Sequence, residues 1–437
     1  SEASSWHLPS SATRKLHSVI YMYIEASRGR IPAWIRENKK IEILNIFGAE
    51  GNLPTWIVEL YRLRRLTVAH GDLRSLPASL GQLRSLKYLD LTNNPNLGIP
   101  DEVIAGRDAT KIINYYFRIN DQRALPLNEF KLVMVGRGGV GKTSLVHKLV
   151  TGDYEEFPQT PGVQIREWRF ELNDETVNAR VWDFGGQEIL HGTHRFFMTE
   201  RAVYLVLLSG RDGHGEQDAH YWLSLVRSFA GDVPVIILLH RWSECRFEVS
   251  IRELRRTYGD GIHFLETDSV TNHNIQALRD AIKSLAQLLP GLKSLWPSAW
   301  RRVKEELPIA KKSWLSFSDF CAFAQARGVS VLDDQQALAD CLHDLGLMLS
   351  YRTDPVLRDC GVLNPQWATH AIYKVLNDKV VCEAGGEMSL ATFAQVLSGE
   401  ESQLYPANLH VYLLALMRKF LLCLPLDERG KRYLIPD

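Results

Sequence analysis

What this chain of 437 residues lacks narrows its class before any motif is read. It has no charge excess: 51 basic residues balance 51 acidic ones, so neither a nucleic acid nor a membrane surface is implied as a partner. Cysteine is sparse, and none of Cys245, Cys321, Cys341, Cys360, Cys382 and Cys423 forms a C-x-x-C pair. That excludes a disulfide framework, and the expectation is reduced, buried thiols. Long apolar runs are missing as well. Ala202–Leu208 and Val233–Leu239 fall far short of the roughly 20 residues of a membrane span, and Val411–Leu426 is broken by Arg418 and Lys419. With no secretory signal in view, a cytoplasmic protein without a membrane span is expected. The chain starts at Ser1 rather than Met, which suggests processing or an excised fragment. Apolar residues make up 45% and charged residues 23%, the proportions of a globular protein, and the length calls for two or three domains.

What is present begins with a repeat. Ile31-Pro32, Leu53-Pro54, Leu76-Pro77 and Ile99-Pro100 recur at steps of 22, 23 and 23 residues. Between them run Ile41-x-x-Leu44-x-Ile46, Leu63-x-x-Leu66-x-Val68 and Leu86-x-x-Leu89-x-Leu91-x-x-Asn94. This is the leucine-rich repeat template, one short strand per turn with its leucines facing the stack. Only the last copy keeps the asparagine; Ala49 and Gly71 stand there in the others. Either a section before the array is missing, or a helix over 13–26 caps it. Glu102–Ile119 has helical spacing and is expected to pack on the end of the array, with Asp121–Asn128 as a connector.

From Glu129 strands and helices alternate, which predicts a parallel sheet. Strands are expected at Lys131–Val135, Val163–Leu172, Val177–Phe184, Ala202–Ser209, Val233–His240 and Gly261–Glu266, with helices at Lys142–Val150, Asp218–Phe229, Ser250–Tyr258 and Asn274–Leu288. Between the first strand and its helix lies "GRGGVGKTS", a G-x-x-x-x-G-K-[ST] motif in the context it requires. The backbone around Gly136, Gly138, Gly139, Val140 and Gly141 would close on phosphates, with Ser144 in the first turn of the helix behind it. Lys142 would neutralise β- and γ-phosphate charge, and the Thr143 hydroxyl would ligate magnesium. "VWDFGGQE" ends a later strand. Asp183 would hold Mg2+ through water, the Gly186 N–H would sense the γ-phosphate, and Gln187 would orient an attacking water. Upstream, Thr160 in "FPQTPG" would close onto the metal. His191 and His194 form an H-x-x-H without an evident third ligand, so helical packing is the expected role. Arg137 and Arg195 could reach phosphate, but a solvated surface position fits them better.

The loop after the strand Val233–His240 reads His240, Arg241, Trp242, Ser243, Glu244. A guanine-specific site places an aspartate where Ser243 stands, because a carboxylate accepts from both N1–H and the 2-amino group. Three substitutes are open: Glu244 one residue on, stacking by Trp242 or Arg241, and backbone N–H groups of Thr267–Val270, including Asp268 and Ser269, on the purine carbonyl. Guanine-nucleotide binding is the favoured reading. Past Pro290 and Gly291 the pattern becomes mostly helical with small wings, with helices at Leu292–Glu306, Ser316–Arg327 and Asp333–Leu345 and short strands at Met348–Tyr351 and Tyr433–Ile435.

This order resembles the Roco family: leucine-rich repeats, a Ras-like GTPase domain called Roc, then a COR domain. "GRGGVGKTS", "DFGGQE", "HGTHRFFM", "CLHDLGLML", "VLNPQW" and the closing "LMRKFLLCLPLDERGKRYLIPD" carry the likeness. The expected fold is therefore multidomain: a repeat solenoid over 1–124 (repeats about 31–105), an α/β P-loop Roc domain over 125–290, and a winged-helix-like N-terminal half of COR over 291–437. The resemblance implies a signalling GTPase that turns GTP into GDP with Mg2+. It also implies homodimerisation through the second half of COR, so this form is expected to be monomeric and slow, and the repeats would carry an unidentified protein partner. Two other readings compete: a nucleotide-binding scaffold with negligible turnover, and a triphosphatase with relaxed base specificity.

Overall fold

The computed structural model describes residues 20–436 apart from 27–28, 122–123, 159–161, 186–194, 212, 290, 309–311, 399–403 and 428–429. Its chain divides into two compact units. The first comprises the residues up to 128, with 290–302 and 331–337. It is β-rich: β1 (Tyr21–Glu25), β2 (Ile43–Phe47), β3 (Glu50–Asn52), β4 (Arg65–Ala69), β5 (Asp72–Ser75) and β6 (Tyr88–Asp90). A parallel sheet has the order β1-β2-β4-β6, with Ile43 opposite Arg65 and Arg65 opposite Tyr88, while β3 pairs with β5. Alternation dictates the faces. Leu44, Ile46, Leu66, Val68 and Leu89 are buried, and their neighbours along the strands are less so. Three of the four Ile-Pro or Leu-Pro pairs start a 3-10 turn, at Ala33–Glu37, Thr55–Glu59 and Ala78–Gln82, and Ile99-Pro100 leads into the α-helix Asp101–Ala105. The prolines' φ of -66°, -63° and -69° suits them to that position.

Asn94 is buried and fully used: its Oδ1 accepts from the Leu73 N–H at 3.1 Å and its Nδ2 donates to the Val68 and Leu91 carbonyls at 2.8 and 3.0 Å. Gly71, at the matching place one step earlier, has no room for a side chain, since a Cβ would lie 2.1 Å from the Ala49 carbonyl oxygen. The expected helix over 13–26 is corrected in its second half. Residues 21–25 form β1, paired parallel with β2, because Tyr21, Met22, Tyr23 and Ile24 alternate in a period of two; 13–19 lie outside the described residues. The expected single helix over 102–119 is two, Asp101–Ala105 and Ala109–Asp121, parted at Arg107 with its φ of 51°. The connector contains β7 (Leu125–Pro126), antiparallel to Leu295–Trp296.

The second unit holds β8 (Glu129–Val135), β9 (Val163–Leu172), β10 (Glu175–Phe184), β11 (Ala202–Ser209), β12 (Val235–His240) and β13 (Ile262–Thr267). The sheet order is β13-β12-β11-β8-β10-β9, parallel except for the hairpin β9–β10. That hairpin turns on Asn173 and Asp174, both at positive φ (52° and 63°), a pair that matches the right-handed twist of the strands. β8, β11 and β12 are buried along almost their whole length, as parallel strands covered on both faces must be. Helices Lys142–Thr151, Gly215–Ala230, Ile251–Tyr258 and Ile275–Leu288 cross between strands or follow the last.

Beyond residue 303 the same unit adds two small antiparallel sheets. One joins Trp314–Ser316, Cys360–Val362 and Leu349–Ser350; the other joins Glu387–Ser389, Arg432–Leu434 and Leu424–Pro425. Helices between them start on side-chain caps: Ser316 accepts from the Asp319 N–H, Asn364 from Gln366 and Ser389 from Thr392. Each such cap contributes about 1 kcal/mol. One continuous apolar core runs from Val133 and Trp182 through Phe196 and Phe197 to Trp367, Leu413 and Tyr433. All six cysteines are free thiols, and only Cys382 is exposed. Among the described residues no helix is long and apolar enough to cross a membrane.

Candidate functional site

The loop 136–141 leaves β8 and enters the helix Lys142–Thr151 through three glycines at positive φ: Gly136 (149°), Gly139 (77°) and Gly141 (96°). No side chain caps that helix, so its first N–H groups point into the loop, where an anion is favoured. Lys142 is buried, and its Nζ donates to the carbonyls of Gly136 at 2.6 Å and Arg137 at 2.8 Å. Burial lowers its pKa to about 8 against the opposing pull of Asp183. A bound phosphate would add the anion that such a desolvated amine lacks. A cavity of about 250 Å³ lies here, and Gly139, Lys142, Thr143, Phe157, Arg211 and Arg241 are among its lining residues.

Two hard oxygen donors meet beside the lysine: the Thr143 hydroxyl donates to Asp183 Oδ2 at 2.7 Å. Asp183 arrives from the end of β10 and Thr143 from the helix start, 40 positions apart in sequence. A hydroxyl and a buried carboxylate at this separation suit a small divalent cation that keeps most of its waters. Thr160, Gly186, Gln187, His191 and His194 lie outside the described residues. Among those described, no group of three or more His, Cys, Asp or Glu could hold a metal alone.

In the loop after β12 the side chains weighed for base recognition have partners within the protein. Trp242 is half-buried and packs against the apolar core. Glu244 is exposed and engaged by Arg211 and, at 3.5 Å, by Arg241. The hydrogen bond from Arg211 leads in holding its carboxyl below the usual range. Ser243 is occupied too: its N–H donates to Asp268 Oδ2 at 3.1 Å, and its hydroxyl pairs with that of Thr271 at 3.0 Å. Asp268 emerges as the organiser of both loops. Its Oδ1 accepts from the N–H groups of Val270 at 2.9 Å and Thr271 at 3.1 Å. Burial pushes its pKa up, but hydrogen bonds, led by that from Thr271, hold it below the ordinary value. Arg241 adopts a φ of 58° and lines the cavity.

His240 ties the loop after β12 to the loop after β13. Its Nδ1 lies 3.0 Å from the Thr267 hydroxyl and its Nε2 3.4 Å from that of Ser269. The ring also abuts the phosphate loop, since a Cβ on Gly141 would fall 3.1 Å from Nε2. Burial takes its pKa down to about 4. Three loops, after β8, β12 and β13, therefore meet on one neutral imidazole.

Of the two arginines weighed for phosphate, Arg137 keeps a partly exposed side chain while Arg195 is drawn inward. Arg137 donates to Asp218 at 2.7 Å, and Arg195 donates to the Phe420 carbonyl at 2.9 Å. Arg195 opens a joint that sequence reasoning missed. Tyr351 donates its hydroxyl to the Phe196 carbonyl at 2.6 Å, Thr199 donates to that of Asp344 at 3.2 Å, and Phe196 meets Phe420 edge to face at 4.8 Å. Lys131, fully buried in β8, donates to the Phe197 carbonyl and lies 4.2 Å from the Trp182 ring centre. Burial lowers its pKa to about 7 against the pull of Asp344. A lone lysine inside the apolar run "FKLVMV" was the available signal. On the other flank, Gln366 donates to the Val163 carbonyl at 3.0 Å, at the start of β9.

Comparison with known proteins follows this division. Residues 131–243 match the family model described as Roc, Ras of Complex, domain of DAPkinase, and residues 297–437 match COR-A, the C-terminal of Roc. The chain is 27% identical over 386 residues to the probable serine/threonine-protein kinase pats1 of Dictyostelium discoideum, covering 80% of this chain and 12% of that protein. It is 25% identical over 328 residues to the Roc-COR-CHAT protease of Runella zeae, covering 68% of this chain and 35% of that one. It thus spans only a minor part of these relatives. The solved structure of Methanosarcina barkeri Roco2 RocCORdC bound to GDP is 31% identical with a TM-score of 0.67, over 72% of this chain and 97% of that one. With both family models in tandem and that structure matched almost from end to end, the chain belongs to the Roco family.

Proposed function

We propose that the protein is a magnesium-dependent guanine-nucleotide switch that hydrolyses GTP to GDP and phosphate. The observation that carries this is the meeting of the Lys142 amine, the uncapped helix start and the Thr143–Asp183 pair in one cradle. A nucleotide diphosphate binds with its phosphates against the N–H groups of 138–144 and the Lys142 ammonium. Mg2+ bound by Thr143 and, through water, by Asp183 would neutralise charge that builds on the β- and γ-phosphates. Thr160, Gly186 and Gln187 stand in the sequence where a γ-phosphate is sensed and water oriented, and the GDP bound to the Methanosarcina relative supports the choice of base.

The switch reports to the segment 303–436 through the joint at Arg195, Phe196 and Phe197, which follow Gln187 closely. Residues 20–121 are read as a leucine-rich repeat module that recruits a protein partner, with the phased 3-10 turns and the buried Asn94 in support. One observation favours the scaffold reading with relaxed base choice: in the loop after β12 the side chains of Ser243 and Glu244 already have partners, Thr271 for the one and Arg211 and Arg241 for the other.

The test is calorimetric titration of GDP with magnesium into the wild type and Lys142→Ala, together with phosphate release from GTP. Affinity is expected to fall by about tenfold or more in the variant, the loss of at least one charge-assisted contact. Undiminished binding in Lys142→Ala sinks the phosphate assignment; tight binding without phosphate release favours the scaffold.

A further inference from the structure

We propose that the base site recognises a purine through its C6 oxygen alone, and takes guanine, hypoxanthine and xanthine nucleotides nearly alike. This rests on the nucleotide-binding reading above and deepens it. Reading the 2-amino group requires an acceptor, best a carboxylate, at the N1/C2 edge. Three candidate acceptors in the loops after β12 and β13 are engaged. Ser243 shares its hydroxyl with Thr271 and gives its N–H to Asp268. Asp268 receives three backbone N–H groups, those of Ser243, Val270 and Thr271, and is buried. Glu244 is held by Arg211 and Arg241.

The C6 edge is served differently. Of the amides of 268–271, that of Asp268 donates to the His273 carbonyl, and those of Val270 and Thr271 donate to Asp268. Among the described residues the Ser269 N–H is left as the donor of that turn, beside the His240 that fixes the loop to the phosphate cradle. An N–H suits the C6 oxygen that guanine, hypoxanthine and xanthine share, and opposes the C6 amino group of adenine, which is itself a donor. A carboxylate at the C2 edge would favour guanine over hypoxanthine and would repel xanthine, whose ring is acidic and carries oxygen at C2. Without one, neither discrimination has a source.

Titration of GDP, IDP, XDP and ADP with magnesium into the full chain tests this, with Glu244→Gln as a second protein. IDP and XDP are expected to bind within about tenfold of GDP, and ADP more than about tenfold more weakly. In Glu244→Gln the ratio of GDP to IDP affinity is expected to be unchanged. A preference for GDP over IDP or XDP beyond tenfold overturns the proposal, whichever carboxylate supplies it, and a ratio that collapses in Glu244→Gln names Glu244 as the reader. ADP binding within tenfold of GDP overturns the C6 half. If none of the four binds, the nucleotide reading itself fails and this one falls with it.

Discussion

His240 shows how one side chain can take over a structural duty in a site without becoming its chemistry. Its ring is neutral because it is buried, with a pKa near 4 against an ordinary 6.5. A depressed pKa means that the unfolded chain binds the proton more readily. The stability that the neutral ring contributes is therefore complete above pH 6.5 and is lost as the pH falls toward 4. His343, also lowered to about 4 by burial, acts in the same direction. From pH 7 to pH 5 each should cost on the order of 2 kcal/mol, at about 1.4 kcal/mol per pH unit for one proton. Urea unfolding at both pH values should show a smaller loss in His240→Asn than in the wild type; equal losses would mean that His240 is not buried neutral. The phosphate cradle was legible because its information is contiguous, from Gly136 to Ser144. Base recognition was not. The partners of 240–243 lie 25 to 29 positions away in Thr267, Asp268, Ser269 and Thr271, and nothing in "HRWSE" announces that they will engage Ser243.

At the scale of elements, periodicity served where a pattern had one solution. β8, β11 and β12 are apolar throughout and became central parallel strands, and the Asn173–Asp174 turn closed its hairpin as turn chemistry requires. It failed where tertiary pairing overrode local propensity: residues 21–25 were read as helix and form a strand, because β2 offers an edge to pair with. The approach of the turn at Gly346 to Trp182 was equally invisible, as it joins residues 164 positions apart. Gly346 has a φ of 71°, and a Cβ there would lie 2.4 Å from Trp182 Cζ2. Trp182 is fully buried against Phe184 and Phe197 and has no space to yield. Gly346→Ala should cost roughly 1–3 kcal/mol, from overpacking and the left-handed backbone together. A urea midpoint indistinguishable from wild type would mean that this contact is slack.

Across the second unit, residues that follow 159–161 and 186–194 in the sequence bind into the segment beyond 303. Val163 follows 159–161 and receives Gln366; Arg195 and Phe196 follow 186–194 and meet Phe420 and Tyr351. If a γ-phosphate reorders the loops bearing Thr160 and Gln187, these anchors are the first to feel it. Tyr351→Phe leaves the buried Phe196 carbonyl without its donor, a loss of about 1–3 kcal/mol. The variant should also reduce the difference in hydrogen exchange over 410–420 between GDP and a GTP analogue. A difference as large as in the wild type would take Tyr351 out of the coupling; no difference in either protein would remove the coupling itself.

Lys131 gives this joint a timekeeper. Its amine is fully enclosed, on the carbonyl of Phe197 and the face of Trp182. No acylating reagent can reach it while those contacts stand, so the rate at which it is labelled counts how often the joint breathes. The exposed lysines beside it in the same sample react irrespective of breathing and serve as the clock's reference.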